Sequence, residues 1–197
     1  MTSTPVEQLA QVLADTERLV AAVRDEQWAD PTPCPDWDVR RLVNHLVAGN
    51  RAFAFILRGQ ELSREDVRRL QAEDALGDKP VAAYRAAADA LLAALIQPGV
   101  LDREVTVPIG PAPGIVALHL RMVETLVHGW DLARATGQAP RFPDDIVERE
   151  LEFTRDRLAG IPADRSPFAP PTPVPDDVPA IDRLAACLGR PATATAD

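Results

Sequence analysis

Proline placement constrains this chain more than any other feature of its sequence. The protein has 197 residues and 19 prolines. A proline lacks the amide hydrogen that a helix interior needs, and it disfavours helix at the residue before it. The prolines of residues 31–35 therefore exclude helix from one early segment, and Pro98 ends a later helix. Residues 167–179 hold 6 prolines and must be extended.

Between these breaks, apolar residues recur at the three- and four-residue spacing that one face of a helix requires. The first such segment opens with Thr4 and, three residues later, Glu7, which is typical of a capping box. The spacing predicts long helices over residues 5–24, 39–57, 78–97, 115–136 and 143–158, and short helices over residues 63–76 and 180–188.

The predicted fold class is all-α. Long helices joined by irregular connections are typical of a four-helix bundle with a crossover connection. Residues 101–109 alternate only weakly and run into the turn-forming residues 110–114, so no sheet is predicted. We divide the chain into a bundle over residues 1–160 and a proline-rich extended tail over residues 161–197, which carries a short terminal helix and packs on the bundle.

Composition and charge exclude several classes of function. The 21 basic residues stand against 30 acidic ones, and the net charge of −9 repels nucleic acid. No segment approaches the roughly 18 apolar residues that a membrane span needs, and no secretory layout is present. The two cysteines lie far apart and form no metal-binding pair. We therefore expect a cytoplasmic protein with reduced thiols and without a nucleic-acid or membrane partner.

Histidine is rare, with three in the chain, and its placement is informative. At about 100° per residue, His128 lies about 40° around the helix from Glu124, so both side chains project to one side. His119 lies about 140° from Glu124 and does not join them. His45 has the same kind of apolar neighbours on the second helix, so the two helices can present these side chains to each other.

Two imidazoles and one carboxylate from facing helices form a ligand set for a divalent metal, and three protein ligands leave a position open, as in catalytic zinc sites. Other interpretations stay open. A helical histidine among apolar neighbours is often a hydrogen-bonded core residue, and a Glu–His pair is often solvated. Cys34 precedes a helix whose dipole favours a thiolate, but no His or Lys is near it in sequence, so we interpret it as apolar packing.

Two segments of the chain carry a family resemblance. Residues 33–46, PCPDWDVRRLVNHL, and residues 124–133, ETLVHGWDLA, resemble the mycothiol-dependent branch of the DinB/YfiT-like metalloproteins. That branch includes mycothiol-dependent maleylpyruvate isomerase and mycothiol S-transferases. The resemblance covers about residues 5–137. The tail looks like that of an actinobacterial metal-binding subgroup, whereas the isomerase looks longer and has a different C-terminal domain.

The resemblance implies a bundle that binds a divalent metal through His45, Glu124 and His128, with zinc as the expected ion and nickel as the alternative. Asp131 would orient a ligating histidine. It also implies mycothiol as co-substrate, a thiol that the metal activates for attack on an electrophilic small molecule. The implied activity is that of an S-transferase or an isomerase. The alternatives are a non-catalytic metal- or ligand-binding bundle with a stress-related role and a purely structural bundle, and a homodimer is left open.

Residues about one turn from these ligands are expected to line the mouth of the site. We place Gly49 and Arg121 there, with the rings of Trp37 and Trp130 as apolar walls. Gly49 leaves room for something other than a side chain. Arg121 has two interpretations, an anchor for a carboxylate substrate or a solvent-exposed surface residue.

Overall fold

A computed structural model describes residues 3–35, 37–107, 110–159 and 168–191. The described chain is mostly helical, as predicted. Its elements in chain order are α1 (Pro5–Ala21), a 3-10 helix (Asp25–Ala29), α2 (Val39–Leu57), α3 (Arg64–Ala72), α4 (Pro80–Leu95), β1 (Glu104–Val107), β2 (Gly110–Pro113), α5 (Gly114–Thr136), α6 (Asp144–Leu158) and α7 (Ala180–Cys187).

Local side-chain chemistry fixes where these helices begin and end. Thr4 and Glu7 form the predicted capping box of α1. The carboxylate of Asp38 accepts a hydrogen bond from the backbone N–H of Arg41 at 2.7 Å and caps α2. At the end of the bundle where α2 begins, α5 stops at Gly137, whose φ of 68° is the left-handed conformation that favours glycine.

Four helices enclose the core. The helix α2 packs against α4 and α5, and α1 packs against the same two helices. His45 on α2 lies beside Glu124 on α5, and Gly49, one turn later on α2, lies beside Arg121, one turn earlier on α5, so the two helices are antiparallel. The interior is filled by fully buried leucines, among them Leu9, Leu42, Leu46, Leu91, Leu118 and Leu126.

A small hairpin precedes α5, and here the prediction of no sheet is wrong. The strands β1 and β2 pair antiparallel, with Val105 opposite Ala112. The side chains of Val105, Val107 and Ala112 are buried, so the weak alternation was a strand signal. The prolines of β2 do not prevent pairing, because both strands of a two-stranded sheet are edges and a missing N–H can face outward.

The described part of the tail packs on the bundle through α7, which contacts α5 and α6. The indole N–H of Trp130 donates to Oδ1 of Asp182 at 2.6 Å. The guanidinium of Arg134 lies 5.0 Å from the Trp130 ring centroid and donates to the same carboxylate at 3.3 Å. The boundary that we drew between residues 160 and 161 lies outside the described residues.

Within the described ranges, no helix is both long and apolar enough to cross a membrane.

We expect Asp182→Ala to destabilise the protein by loosening this contact. The substitution leaves the buried Trp130 N–H without its acceptor, which costs about 1–3 kcal/mol. In a chain of this size each kcal/mol lowers Tm by about 2–4 °C. Thermal unfolding followed by circular dichroism measures the effect. Asp177→Ala, an exposed carboxylate of the same tail, is the control, and equal Tm values for the two variants would contradict the assignment.

Candidate metal centre

One carboxylate lies between two imidazoles at the interface of α2 and α5. Oε2 of Glu124 is 3.2 Å from Nε2 of His45 and 3.4 Å from Nε2 of His128. The centroids of the two imidazole rings are 4.9 Å apart and the rings meet edge to face. The structure therefore brings together all three residues that the sequence offered as ligands.

The spacing of these atoms fits a divalent ion. One ligand atom from each of the three residues lies within 4.8 Å of the others. Around a tetrahedral ion with bonds of about 2.0–2.1 Å, ligand atoms are about 3.3–3.4 Å apart. The two nitrogen–oxygen distances, 3.2 and 3.4 Å, are close to that separation.

The carboxylate of Asp131 fixes the orientation of one imidazole. Its Oδ2 lies 3.0 Å from Nδ1 of His128, on the same helix. When Nδ1–H donates to this carboxylate, Nε2 presents its lone pair toward Glu124 unless it is also protonated. A lone pair and a carboxylate oxygen repel each other, so either a proton or a cation must lie between them. This arrangement matches the orienting role that the resemblance implied for Asp131.

Two further side chains contact Asp131, and the sequence analysis predicted neither contact. Sγ of Cys34 lies 3.1 Å from Oδ2 of Asp131 and 3.7 Å from Nδ1 of His128. Nη2 of Arg190, on the segment after α7, lies 3.0 Å from Oδ2 of Asp131 and 3.2 Å from the Cys34 sulfur. Cys34 packs against the hydrophobic core, as we expected, but it also has polar neighbours that come from distant parts of the chain.

The pKa values of the three residues in the group are shifted in different directions. Burial acts to raise the pKa of Glu124, but hydrogen bonds from His128 and His45 outweigh it and hold this pKa well below its usual value. Burial acts to lower the pKa of His128, yet Asp131, Cys34 and Glu124 together raise it well above its usual value. For His45 burial prevails and lowers the pKa.

Access to the group is from one side. The side chain of His128 is 6% exposed, whereas that of Glu124 is 27% exposed and that of His45 is 18% exposed. The ring of Trp37 covers both imidazoles, with centroid separations of 4.6 Å to His45 and 5.6 Å to His128. Trp37 therefore forms the apolar wall that the sequence assigned to it, and Glu124 lies nearest to solvent.

Arg121 and Gly49 differ from the expectation of an open mouth. Arg121 is 2% exposed, so it is not a surface arginine. A Cβ added to Gly49 would overlap Nη1 of Arg121 and lie 3.0 Å from its Cζ. The room that the glycine provides is thus occupied by the guanidinium. A helical arginine extends toward the N-terminus of its own helix, which carries this group away from Glu124 and toward Gly49.

Trp130 and His119 lie away from the group. Trp130 is two residues from His128, about 200° around the helix, so its ring packs on the tail rather than forming a second wall. His119 Nδ1 lies 2.8 Å from a carboxylate oxygen of the fully buried Glu150, and its ring stacks on Phe153. This pair links α5 to α6.

The fold and the site together define a helical bundle in which two histidines and one carboxylate converge in a group that could hold a metal ion. A family model, the mycothiol maleylpyruvate isomerase N-terminal domain, matches residues 9–133. The match covers more than half of the chain, and the chain belongs to this family.

Relatives of known sequence and structure extend this result. Two uncharacterized proteins of Mycobacterium tuberculosis, from strains CDC 1551 and H37Rv, are each 35% identical over 175 residues, which covers 87% of this chain and 90% of theirs. The crystal structure of the mycothiol-dependent maleylpyruvate isomerase has a TM-score of 0.66, and that of a histidine-to-alanine mutant 0.65. Both are 17% identical, and each match covers 79% of this chain and 70% of the other. At this identity the likeness establishes the fold.

We expect Asp131→Asn to weaken binding of added zinc by about 10–100-fold, because a neutral amide oxygen is a weaker acceptor than a carboxylate for the Nδ1 hydrogen of His128. A chelator-competition titration gives the dissociation constant. Asp89→Asn, an exposed residue on α4, is the control and should bind zinc as the unmodified protein does. Equal zinc affinities of the Asp131→Asn and Asp89→Asn variants would show that Asp131 does not support zinc binding.

Zinc affinity should fall as pH is lowered. The pKa of His128 is raised in the metal-free protein, so a proton occupies Nε2 at pH values below that pKa and zinc must displace it. Each displaced proton weakens apparent affinity about tenfold per pH unit below the pKa. The same chelator titration at pH 8, 7 and 6 tests this, and a pH-independent dissociation constant would contradict the assigned ligand.

Proposed function

We propose that the protein is a metal-dependent enzyme in which a low-molecular-weight thiol, mycothiol or a close analogue, attacks a small electrophile. The observation that carries this proposal is the convergence of His45, Glu124 and His128 at the distances that one divalent ion requires. Family membership supports the choice of thiol, because the family is described by mycothiol maleylpyruvate isomerase.

Zinc is the ion that we propose, with nickel as the alternative, since two imidazoles and a carboxylate suit both. Bound there, the ion would supply Lewis acidity, which lowers the pKa of a coordinating thiol so that the nucleophile forms at neutral pH. The chain supplies three ligands and leaves the remaining positions to small molecules.

The surrounding residues hold this geometry and limit water. Asp131 accepts the Nδ1 hydrogen of His128 and keeps the imidazole from rotating. Trp37 covers the faces of both imidazoles, so solvent does not reach the group from that side. The exposed parts of Glu124 and His45 are where we propose that a thiol and a substrate approach the group.

Two outcomes of the same thiol attack are chemically coherent. When the sulfur adds to an activated carbon–carbon double bond, the S–C bond forms and the thiol proton ends on the substrate. If the adduct is released, the reaction is an S-transfer and one thiol is consumed per turnover. If the bond rotates and the thiol leaves again, the double bond returns in the other geometry and no thiol is consumed. We propose isomerisation or S-transfer of this kind, in a reducing cytoplasm.

Metal content is the first test. Protein purified without a histidine tag should contain close to one equivalent of zinc or nickel by elemental analysis. His128→Ala should lose most of the metal and keep its helical circular dichroism spectrum, because one ligand of three is removed from a helix that the core still holds. His119→Gln, the histidine outside the group, is the matched control and should keep the metal.

Thiol chemistry is the second test. The metal-loaded protein is incubated with mycothiol and a set of activated alkenes, and free thiol and alkene geometry are both followed. Loss of thiol that requires His128 indicates an S-transferase, and alkene isomerisation at constant thiol indicates an isomerase. Stoichiometric metal without turnover of any alkene would favour the non-catalytic, ligand-binding bundle instead.

A further inference from the structure

One arginine of the tail reaches the candidate metal centre. Arg190 lies on the segment that follows α7, and its side chain is 11% exposed. Its Nη2 donates to Oδ2 of Asp131 at 3.0 Å, and its Nε donates to Oδ1 of the same carboxylate at 3.3 Å. One planar guanidinium therefore holds both carboxylate oxygens, a two-bond geometry that a lysine ammonium does not reproduce.

The remaining contacts of this guanidinium leave none of its nitrogens without a partner. Nη1 donates to the carbonyl oxygen of Leu188 at 3.0 Å, and Nη2 also lies 3.2 Å from the sulfur of Cys34. Each of the three nitrogens thus contacts an atom of the protein, which suits a residue that holds other side chains in place. The guanidinium of Arg190 is therefore engaged within the protein.

The backbone around Arg190 is fixed as well. Its N–H donates to the carbonyl oxygen of Ala185 in α7 at 3.0 Å, and its own carbonyl oxygen accepts from the hydroxyl of Thr172 at 2.5 Å. Gly189 turns the chain in the left-handed conformation, with a φ of 80°, and a Cβ there would lie 2.6 Å from the Cβ of Ala169. These contacts between the two ends of the described tail set the position of the guanidinium.

Asp131 depends on this guanidinium for its orientation. The carboxylate is fully buried, and its Oδ2 lies 3.0 Å from Nδ1 of His128 and 3.1 Å from the sulfur of Cys34. Among the described residues, Arg190 is the sole side-chain donor to Oδ1. Without Arg190 the carboxylate would be free to turn about its Cβ–Cγ bond, and Oδ2 would no longer be held opposite Nδ1. The direction of Nε2, on the far side of the His128 ring, depends on that contact.

Two effects of Arg190 on a bound cation oppose each other. Its positive charge repels a metal ion, which would weaken metal binding. Its hold on Asp131 keeps the imidazole of His128 directed toward Glu124, which would strengthen metal binding. Asp131 carries the opposite charge and contacts both the guanidinium and the imidazole, so the repulsion is largely compensated. We expect the effect on orientation to be the larger one.

We propose that Arg190 is a positioning residue of the metal centre, which acts on His128 through Asp131 and makes the tail a functional part of the site. The proposal rests on the function proposed above, and it adds to that site a residue that lies outside the family match over residues 9–133. Docking of the tail and binding of the metal then favour each other, because both require the same orientation of Asp131.

The zinc affinity of arginine variants tests the direction of the effect. Arg190→Met should weaken binding of added zinc about tenfold in a chelator-competition titration, the lower end of the range for residues that orient a ligand. Arg190→Lys keeps the charge but not the planar fork, so it should recover only part of the affinity. Unchanged or tighter zinc binding by Arg190→Met overturns the proposal, because loss of the charge alone would produce tighter binding.

Arg183→Met is the matched control. Arg183 lies on α7, is 20% exposed and pairs with the carboxylate of Glu148, and none of its described contacts involves His128 or Asp131. Loosening of the tail by this change should affect Tm but not zinc affinity, which separates a structural effect from an effect on the metal. An equal loss of zinc affinity in both variants contradicts the proposal. If Arg190→Met does not fold, Arg190→Lys carries the comparison, with full zinc affinity as the contrary result.

A double-mutant cycle tests the route through Asp131. In the Asp131→Asn background the carboxylate is already absent, so Arg190→Met should change zinc affinity far less than it does in the unmodified protein. Equal fold-changes in the two backgrounds would show that Arg190 acts independently of Asp131, and they would overturn the proposed route.

The positioning role and the proposed function can fail separately. The chain has three histidines, so the imidazole nitrogen resonances of the metal-free protein can be assigned to individual rings by NMR. Arg190→Met should shift the nitrogen resonances of His128 and leave those of His119 unchanged, whereas Arg183→Met should shift neither. If the unmodified protein binds no metal, the proposed function fails and these spectra still decide the role of Arg190. Unchanged His128 resonances in Arg190→Met overturn that role.

Discussion

The contact between α2 and α5 includes a carboxylate that is only partly exposed to solvent. The side chain of Glu124 is 27% exposed, and burial of the remainder is unfavourable for an isolated charge. Imidazoles from both helices compensate it, His45 at 3.2 Å and His128 at 3.4 Å. These contacts require the two helices to be antiparallel and in one register, since a shift of one residue would carry a ring away from the carboxylate. The positions of these three side chains and the register of α2 against α5 therefore depend on each other.

A second set of contacts connects this group to the tail. Trp130 and Asp182 hold α7 against α5, and the segment that follows α7 brings Arg190 to Asp131. Asp131 in turn fixes the imidazole of His128. Burial acts to raise the pKa of Asp131, but the opposing effect of His128 and Arg190 is larger, and the pKa is lowered. The carboxylate therefore stays charged and accepts hydrogen bonds from both side chains. The tail thus contributes a residue to the surroundings of the candidate ligands, although it lies outside the family match over residues 9–133.

Charged side chains near Asp131 and near Arg121 differ in whether they have hydrogen-bond partners. On the side of Asp131, every charged side chain has a partner within hydrogen-bond distance, which produces a rigid orientation of His128. On the side of Arg121, Nε and Nη2 are buried and have no hydrogen-bond partner among the described residues. The paired groups around Asp131 therefore hold the His128 imidazole in one orientation.

The sequence by itself determined the helices and the identity of the three converging residues, because proline placement, apolar spacing and side-chain angles around one helix are local properties. It also predicted that Trp37 lies beside these residues, and the family resemblance implied an orienting role for Asp131. It did not determine that Arg121 is buried, that Cys34 lies beside Asp131 or that Arg190 reaches them from the tail. Those contacts join residues that are far apart in the chain, and only the packing of α2, α5 and α7 decided them. Burial in particular depends on which helix covers a given face, and no local pattern records that.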